Sequence, residues 1–121
     1  MAQKKTLVLG ASDNPARYSY IAIDRLQAHQ HPIVAVGRKD TAVNGVEIHK
    51  EHIAAEGVDT ITLYLNPKNQ EEYYDYIIGL RPKRIIFNPG TENPELIRRA
   101  KEAGIEPVIA CTLVMLSTGQ Y

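Results

Sequence analysis

Five short apolar runs punctuate the chain, and each closes on a turn former. Thr6-Leu7-Val8-Leu9 ends at Gly10, and Ile33-Val34-Ala35-Val36 ends at Gly37. Thr60 to Leu65 runs into Asn66-Pro67, Ile85-Ile86-Phe87 into Asn88-Pro89-Gly90, and Pro107 to Ala110 into Cys111. Runs this short, rich in β-branched residues, predict strands buried on both faces of a parallel sheet. Val46-Glu47-Ile48-His49 alternates instead, as an exposed edge strand does.

The intervening stretches carry helix periodicity. Ser19 to Gln30 sets Ala22, Ile23 and Leu26 on one face, with Asp24, Arg25 and Gln27 opposite. The next stretch places Asn69 as the N-cap, Glu71 and Glu72 in the first turn, and Tyr73, Tyr76, Ile77 and Leu80 as the buried stripe, with Tyr74 exposed and Gly79 near the end. A third has Asn93 as the cap and Pro94 at the first helical position; Leu96, Ile97 and Ala100 face inward and Gly104 is the stop. Thr112 to Ser117 predicts a last short helix. Strand–helix–strand repetition means right-handed βαβ units. The expected fold is α/β: a single Rossmann-like, doubly wound, mostly parallel sheet of about five to six strands, helices on both faces, one domain over residues 1–121.

Composition narrows the function. Hydrophobic residues are 44% and charged residues 23% of 121, which fits one globular domain and argues against a disordered chain. Fourteen Lys plus Arg balance fourteen Asp plus Glu, so binding to nucleic acid by general phosphate attraction is disfavoured. The single Cys111 can form no intramolecular disulfide. No run approaches the roughly 20 apolar residues of a membrane span, and Leu7 to Leu9 is short for a signal peptide, so the expectation is a cytoplasmic protein with no membrane partner.

In an open α/β sheet, ligands bind beyond the carboxyl ends of the strands. The loops starting at Gly10, Gly37, Asn66, Asn88 and Cys111 are therefore the candidate site. The first reads Gly10-Ala11-Ser12-Asp13-Asn14-Pro15-Ala16-Arg17-Tyr18-Ser19. A glycine between a first strand and a helix lets backbone amides approach a phosphate; Ser12 and Ser19 add hydroxyls and Arg17 a guanidinium fork. A dinucleotide fingerprint has glycine at all of positions 10, 12 and 15, whereas Ser12 and Pro15 stand here, so a plain βα turn is the competing reading. After the second strand, where an NAD domain has an acid for the ribose hydroxyls, stand Gly37-Arg38-Lys39. Two cations there suit a ribose bearing a phosphate, as in NADP or coenzyme A, although Lys39 also reads as a solvated loop charge.

The order of these motifs resembles a known family. A Gly-Ala-Ser-X-X-Pro loop is followed by Arg and Ser, a later Gly-Val-Glu-Ile segment, an Asn-Pro-Gly-Thr loop opening a helix that ends Ala-Gly, and a Cys after the last strand. Together they are similar to the stand-alone CoA-binding domain proteins, whose Rossmann fold is like the N-terminal CoA-binding domain of the succinyl-CoA synthetase alpha subunit. The resemblance runs from Lys5 to about Cys111. It implies that Gly10, Ala11, Ser12, Arg17 and Ser19 hold the pyrophosphate of coenzyme A. Val36, Gly37 and Arg38 would frame the adenosine and its 3′-phosphate, and Leu65, Asn66 and Pro67 would line the adenine or pantetheine arm. Asn88, Pro89 and Gly90 would lie at the far end of the cleft; separately, a last strand ending at Ala110 would point the Cys111 thiol into it. Val36-Gly37-Arg38 departs from the family's Val-Asn-Pro, and Pro89 stands where Gln is common. No established reaction comes with the resemblance.

The remaining chemistry-bearing residues have plain readings. Cys111 at a helix start could be reactive or a small core residue. His29 with His31 and His49 with His52 fall short of a structural zinc set; the first pair reads as partly positive imidazoles at a helix end. Glu71, Glu72, Glu92 and Glu95 compensate helix dipoles. The expected function is binding of CoA or acyl-CoA, with a small nucleotide-like ligand as partner and no catalytic residue assigned. The alternatives are an NADP-type dinucleotide binder or small reductase component, and a CoA-sensing regulatory subunit. Homo-oligomerisation or an unknown protein partner stays open.

Overall fold

The computed structural model describes residues 3–121. Seven strands form one sheet: β1 (Thr6–Ala11), β2 (Ile33–Gly37), β3 (Thr41–Val43), β4 (Val46–His49), β5 (Thr60–Leu63), β6 (Arg84–Phe87) and β7 (Glu106–Ile109), in the order β3-β4-β2-β1-β5-β6-β7. All pairs are parallel except β3–β4. The helices are α1 (Tyr18–Ala28), α2 (Pro67–Gln70), α3 (Tyr74–Gly79), α4 (Pro94–Glu102) and α5 (Thr112–Ser117), with a 3₁₀ turn over Glu71–Tyr73 joining α2 to α3.

Alternation along the buried strands sends side chains to two separate cores. Leu7, Leu9, Ile61, Leu63, Ile85 and Phe87 pack under α3 and α4, with Ile77, Leu96 and Ala100 facing them. Val8, Ala35 and Ile48 face the other way, against Ile23 and Leu26 of α1 and Leu116 of α5. The sheet is thus doubly wound, with β1 near its middle and covered on both sides.

Several details differ from the pattern read along the chain. β3 is an addition to the expected strands: Thr41–Val43 folds back on β4 through Asn44 and Gly45, both at positive φ, so β3 rather than Val46–His49 forms the edge. That two-residue turn suits a hairpin between short strands. β7 is the other edge, and Ile109 is 57% exposed, because no neighbour lies beyond it to bury a second flank. The second helical stretch starts earlier than expected. Asn66, not Asn69, is its cap, accepting from the Asn69 amide at 2.9 Å, and Pro67 takes the first helical position. Asn93 and Pro94 do the same for α4, where Asn93 accepts from the amides of Glu95 and Leu96.

Tyr74, expected in solvent, is half-buried: its hydroxyl accepts from Asn93 Nδ2, and the Arg99 guanidinium lies 4.5 Å from its ring. His31, expected as a partly positive helix-end group, is buried against Tyr121 with ring centroids 4.8 Å apart. Its Nδ1 accepts from the Lys4 amide at 3.0 Å. Burial, and then the neighbouring positive groups, hold its pKa below the ordinary histidine value. His29 does meet a helix-end carbonyl, that of Arg25, at 2.9 Å.

Two measurements check this packing. Gly79, exposed in the last turn of α3, has open space where a β-methyl would stand, so Gly79→Ala is expected to raise stability by about 0.5–1 kcal/mol in urea denaturation. His31 has a lower pKa folded than unfolded, so the unfolded chain takes up protons first as pH falls. Its contribution is complete above about pH 6.5 and erodes below that, toward the folded pKa. Melting curves between about pH 7.5 and 5 should show this erosion in the wild type and lose that component in His31→Gln.

Candidate functional site

The carboxyl ends of β1, β2, β5 and β6 open into a crevice of about 630 Å³. Its floor is set by two glycines. The ladder between β1 and β2 shifts register between Leu9 and Ala11, and Gly10, at φ +91°, sits in that bulge. A Cβ at Gly10 would stand 3.0 Å from both the Leu65 Cγ and the Tyr64 carbonyl carbon. At Gly37 a Cβ would stand 2.2 Å from the Ala11 carbonyl oxygen. Any side chain there would push the first loop away from β2.

The first loop is held by its own polar groups. The Ser12 hydroxyl accepts from the Asn14 amide at 3.1 Å, and Asn14 Oδ1 accepts from the Ala16 amide at 2.9 Å. Asp13 ties the loop to the β2–β3 connection: it accepts from Thr41 Oγ1 at 2.9 Å and pairs with Lys39 Nζ at 3.3 Å. Those two contacts, Thr41 first, hold its carboxyl below the ordinary aspartate pKa. Lys39 keeps the solvated position read above, its side chain 68% exposed, while its ammonium pairs with Asp13 at the crevice wall. Arg17 and Arg38 line the same space, and among the described residues neither meets a carboxylate. Arg17, Arg38 and Lys39 against Asp13 leave the lining electropositive.

Two buried amides fix the far wall. Asn88 donates to Thr62 Oγ1 at 2.7 Å and to the Leu63 carbonyl at 2.8 Å, while its Oδ1 accepts from the Thr112 amide at the start of α5. Gln70 donates to the carbonyls of Leu65 and Thr91, both at 2.8 Å, and accepts from Asn93 Nδ2 at 2.9 Å. The turns after β5 and β6 are therefore stitched to each other. Gly90, at φ +90°, donates its amide to Glu92 at 2.8 Å, which places that acid on the turn itself.

Residues 4–117 match the CoA binding domain family. The chain belongs to that family. No curated protein matches it. Among solved structures, an uncharacterized protein is 56% identical over 100% of both chains, with a TM-score of 0.97. A hypothetical protein from Pyrococcus horikoshii OT3 is 27% identical, covering 96% of this chain and 83% of that one, with a TM-score of 0.86. A protein from Thermus thermophilus at 24% identity shares the fold, with 98% and 91% coverage and a TM-score of 0.86.

For this CoA-binding domain, most residues singled out in the sequence meet in the crevice: Gly10, Ala11, Ser12, Arg17 and Ser19 from the first loop, Gly37 and Arg38, Leu65 and Asn66, Pro89 and Gly90. Four do not reach its lining. Val36 is fully buried in the core under α3 and α4, Pro67 faces outward as the first residue of α2, and Asn88 is turned into the network described above. Cys111 is the half-buried N-cap of α5, outside the lining, so its thiol does not open into the crevice.

Other lining residues carry no ligand marker at their own position in the sequence: Asp13, Thr41, Tyr64, Asn69 and Tyr73. Tyr64 turns its hydroxyl inward to a place without a hydrogen-bond partner among the described residues, and burial pushes its pKa up to about 12. No group of three or more His, Cys, Asp or Glu among the described residues could hold a metal.

Asn88→Ala would strand the Leu63 carbonyl and the Thr112 amide in a dry site. It is expected to cost roughly 2–5 kcal/mol in urea denaturation, with the loss concentrated where β5, β6 and α5 meet.

Proposed function

We propose that the protein is a coenzyme A-binding module whose ligand lies across the crevice, its diphosphate on the first loop and its phosphorylated ribose beside Arg38. The observation that carries this reading is the pair of guanidiniums, Arg17 and Arg38, that line one cavity without a carboxylate partner in a family of CoA-binding domains. Uncommitted guanidiniums favour phosphate oxygens through short, charge-assisted bonds. A plain NAD ribose would call for an acceptor after β2, and this chain offers cations there.

In this reading the amides from Gly10 to Ser12, the Ser12 hydroxyl and Arg17 hold the pyrophosphate. Ser12 accepts from Asn14 and keeps its own proton to donate. Arg38 holds the 3′-phosphate, Leu65 and Asn66 flank the nucleotide, and the pantetheine arm runs toward Pro89 and Gly90. Lys39, already paired with Asp13, stabilises the wall more than the ligand. Among the described residues that line the crevice none is arranged as a nucleophile with an adjacent base, and the reading is of binding and names no reaction.

Calorimetric titration with CoA, 3′-dephospho-CoA and NAD tests it. CoA is expected to bind most tightly. Arg17→Ala should weaken CoA and dephospho-CoA alike, by about 1.5–3 kcal/mol for a lost charged hydrogen bond. Arg38→Ala should weaken CoA and spare dephospho-CoA. Absence of heat with CoA, or NAD binding as tightly as CoA, would overturn the assignment.

A further inference from the structure

Tyr73 lies on the 3₁₀ turn between α2 and α3, yet it lines the crevice that β1 and β2 open. Its ring is fixed from behind. His52 stacks on it with centroids 4.4 Å apart and planes 30° apart, and Tyr76 lies at 6.5 Å. Tyr76 is itself anchored, donating its hydroxyl to the Ile53 carbonyl at 2.6 Å. The residue is only 8% exposed, so the ring belongs to the core. Its hydroxyl differs: it has no hydrogen-bond partner among the described residues and is not sealed from solvent as that of Tyr64 is.

The surroundings of that hydroxyl have a definite electrostatic character. Burial raises the phenol pKa, so the group stays protonated and able to donate at neutral pH. Glu72 pushes the same way, while the Arg38 charge is close enough to act in the opposite sense. Arg38 and Tyr73 both line the one crevice, so an unpaired guanidinium and an unpaired hydroxyl donor share the same cavity. A carboxylate-free pair of donors fits a group rich in acceptor oxygens and poor in protons, which describes a phosphomonoester better than a sugar diol.

We propose that the Tyr73 hydroxyl is a specificity-determining donor that, with Arg38, selects a ribose carrying a phosphomonoester. The inference rests on the reading of the crevice as a nucleotide site and adds to it a residue from a distant segment. The ring, backed on one side by His52, which in turn lies 5.1 Å from Tyr76, presents the donor from a packed position, so little freedom is lost when the phosphate arrives. The same chemistry is offered by a 3′-phosphate, as in CoA, and by a 2′-phosphate, as in NADP.

Dissociation constants of CoA, 3′-dephospho-CoA, NADP and NAD for the wild type and Tyr73→Phe decide the matter. Phenylalanine keeps the ring and its stack, and an unchanged melting temperature without ligand would verify that the fold is intact. The wild type should prefer CoA to dephospho-CoA, and Tyr73→Phe should shrink that ratio about three- to tenfold through the CoA arm alone. Shrinkage of the NADP-to-NAD ratio instead would assign the same donor pair to a 2′-phosphate. An unchanged ratio, or equal weakening of the phosphorylated and unphosphorylated ligands, overturns the role of Tyr73 and leaves the CoA reading standing. A wild type that binds none of the four sinks that reading itself.

Discussion

A contact that no side chain could survive holds the crevice in place. Where β1 and β2 end, the Ala11 carbonyl oxygen lies over the α-carbon of Gly37, and a methyl group there would sit 2.2 Å from it. The bulge at Gly10 turns the first loop down onto the end of β5, where a methyl group would have 3.0 Å of clearance and φ is +91°. Because both approaches are backbone on backbone or backbone on a packed leucine, the first loop has one resting position above the sheet. The rest of the site inherits its geometry from that position. Arg17 projects from the loop's far end, and Asp13 from its middle reaches Thr41 and Lys39. This also gives a physical reason for the departure from a Val-Asn-Pro pattern after β2: any residue but glycine at position 37 would have to move the loop.

The opposite wall relies on a different device, buried amides that bond to backbone rather than to each other's charges. Asn88 and Gln70 each satisfy carbonyls at the ends of neighbouring strands, and neither leaves an unpaired polar atom. Such bonds are modest when made and expensive when half-made, so they specify one loop arrangement more than they add stability. Asn88 illustrates why a residue in a strand-end loop need not touch a ligand. Its side chain is the remote cap of α5, spent on the Thr112 amide before anything enters the crevice.

How much of this is legible in the amino acids depends on range. The buried strands are plain because a both-faces-buried strand is a local signal, and the Asn93-Pro94 start of α4 is equally local. The same Asn-Pro signature at Asn66-Pro67 reads as a turn, because it closes an apolar run and two acids further on mimic a first helical turn. β3 escapes because three residues carry too little periodicity to register, and the exposure of β7 depends on its rank in the sheet, which its own residues do not encode. First-loop and second-strand site residues are visible because glycine and arginine at strand ends carry local meaning. Tyr73 and Gln70 are not, since a helical stripe of aromatics looks the same whether or not one ring ends at a cavity, and a buried amide looks like any surface one.

Net charge misleads for a related reason. A chain whose formal charges cancel over its full length offers no general attraction to polyanions, which is the correct inference about long-range fields. Binding in a crevice is governed instead by charges within a few ångströms, where low-dielectric walls weaken screening. Here three cations meet one carboxylate in the lining, and that carboxylate is itself occupied by Lys39 and Thr41. The compensating acids lie elsewhere, for example Glu71 on the 3₁₀ turn and Asp75 on α3, both exposed and in no ion pair among the described residues. Cancelling the charge over the whole chain while leaving it uncancelled in one concavity confines the positive field to the crevice, where it acts at short range.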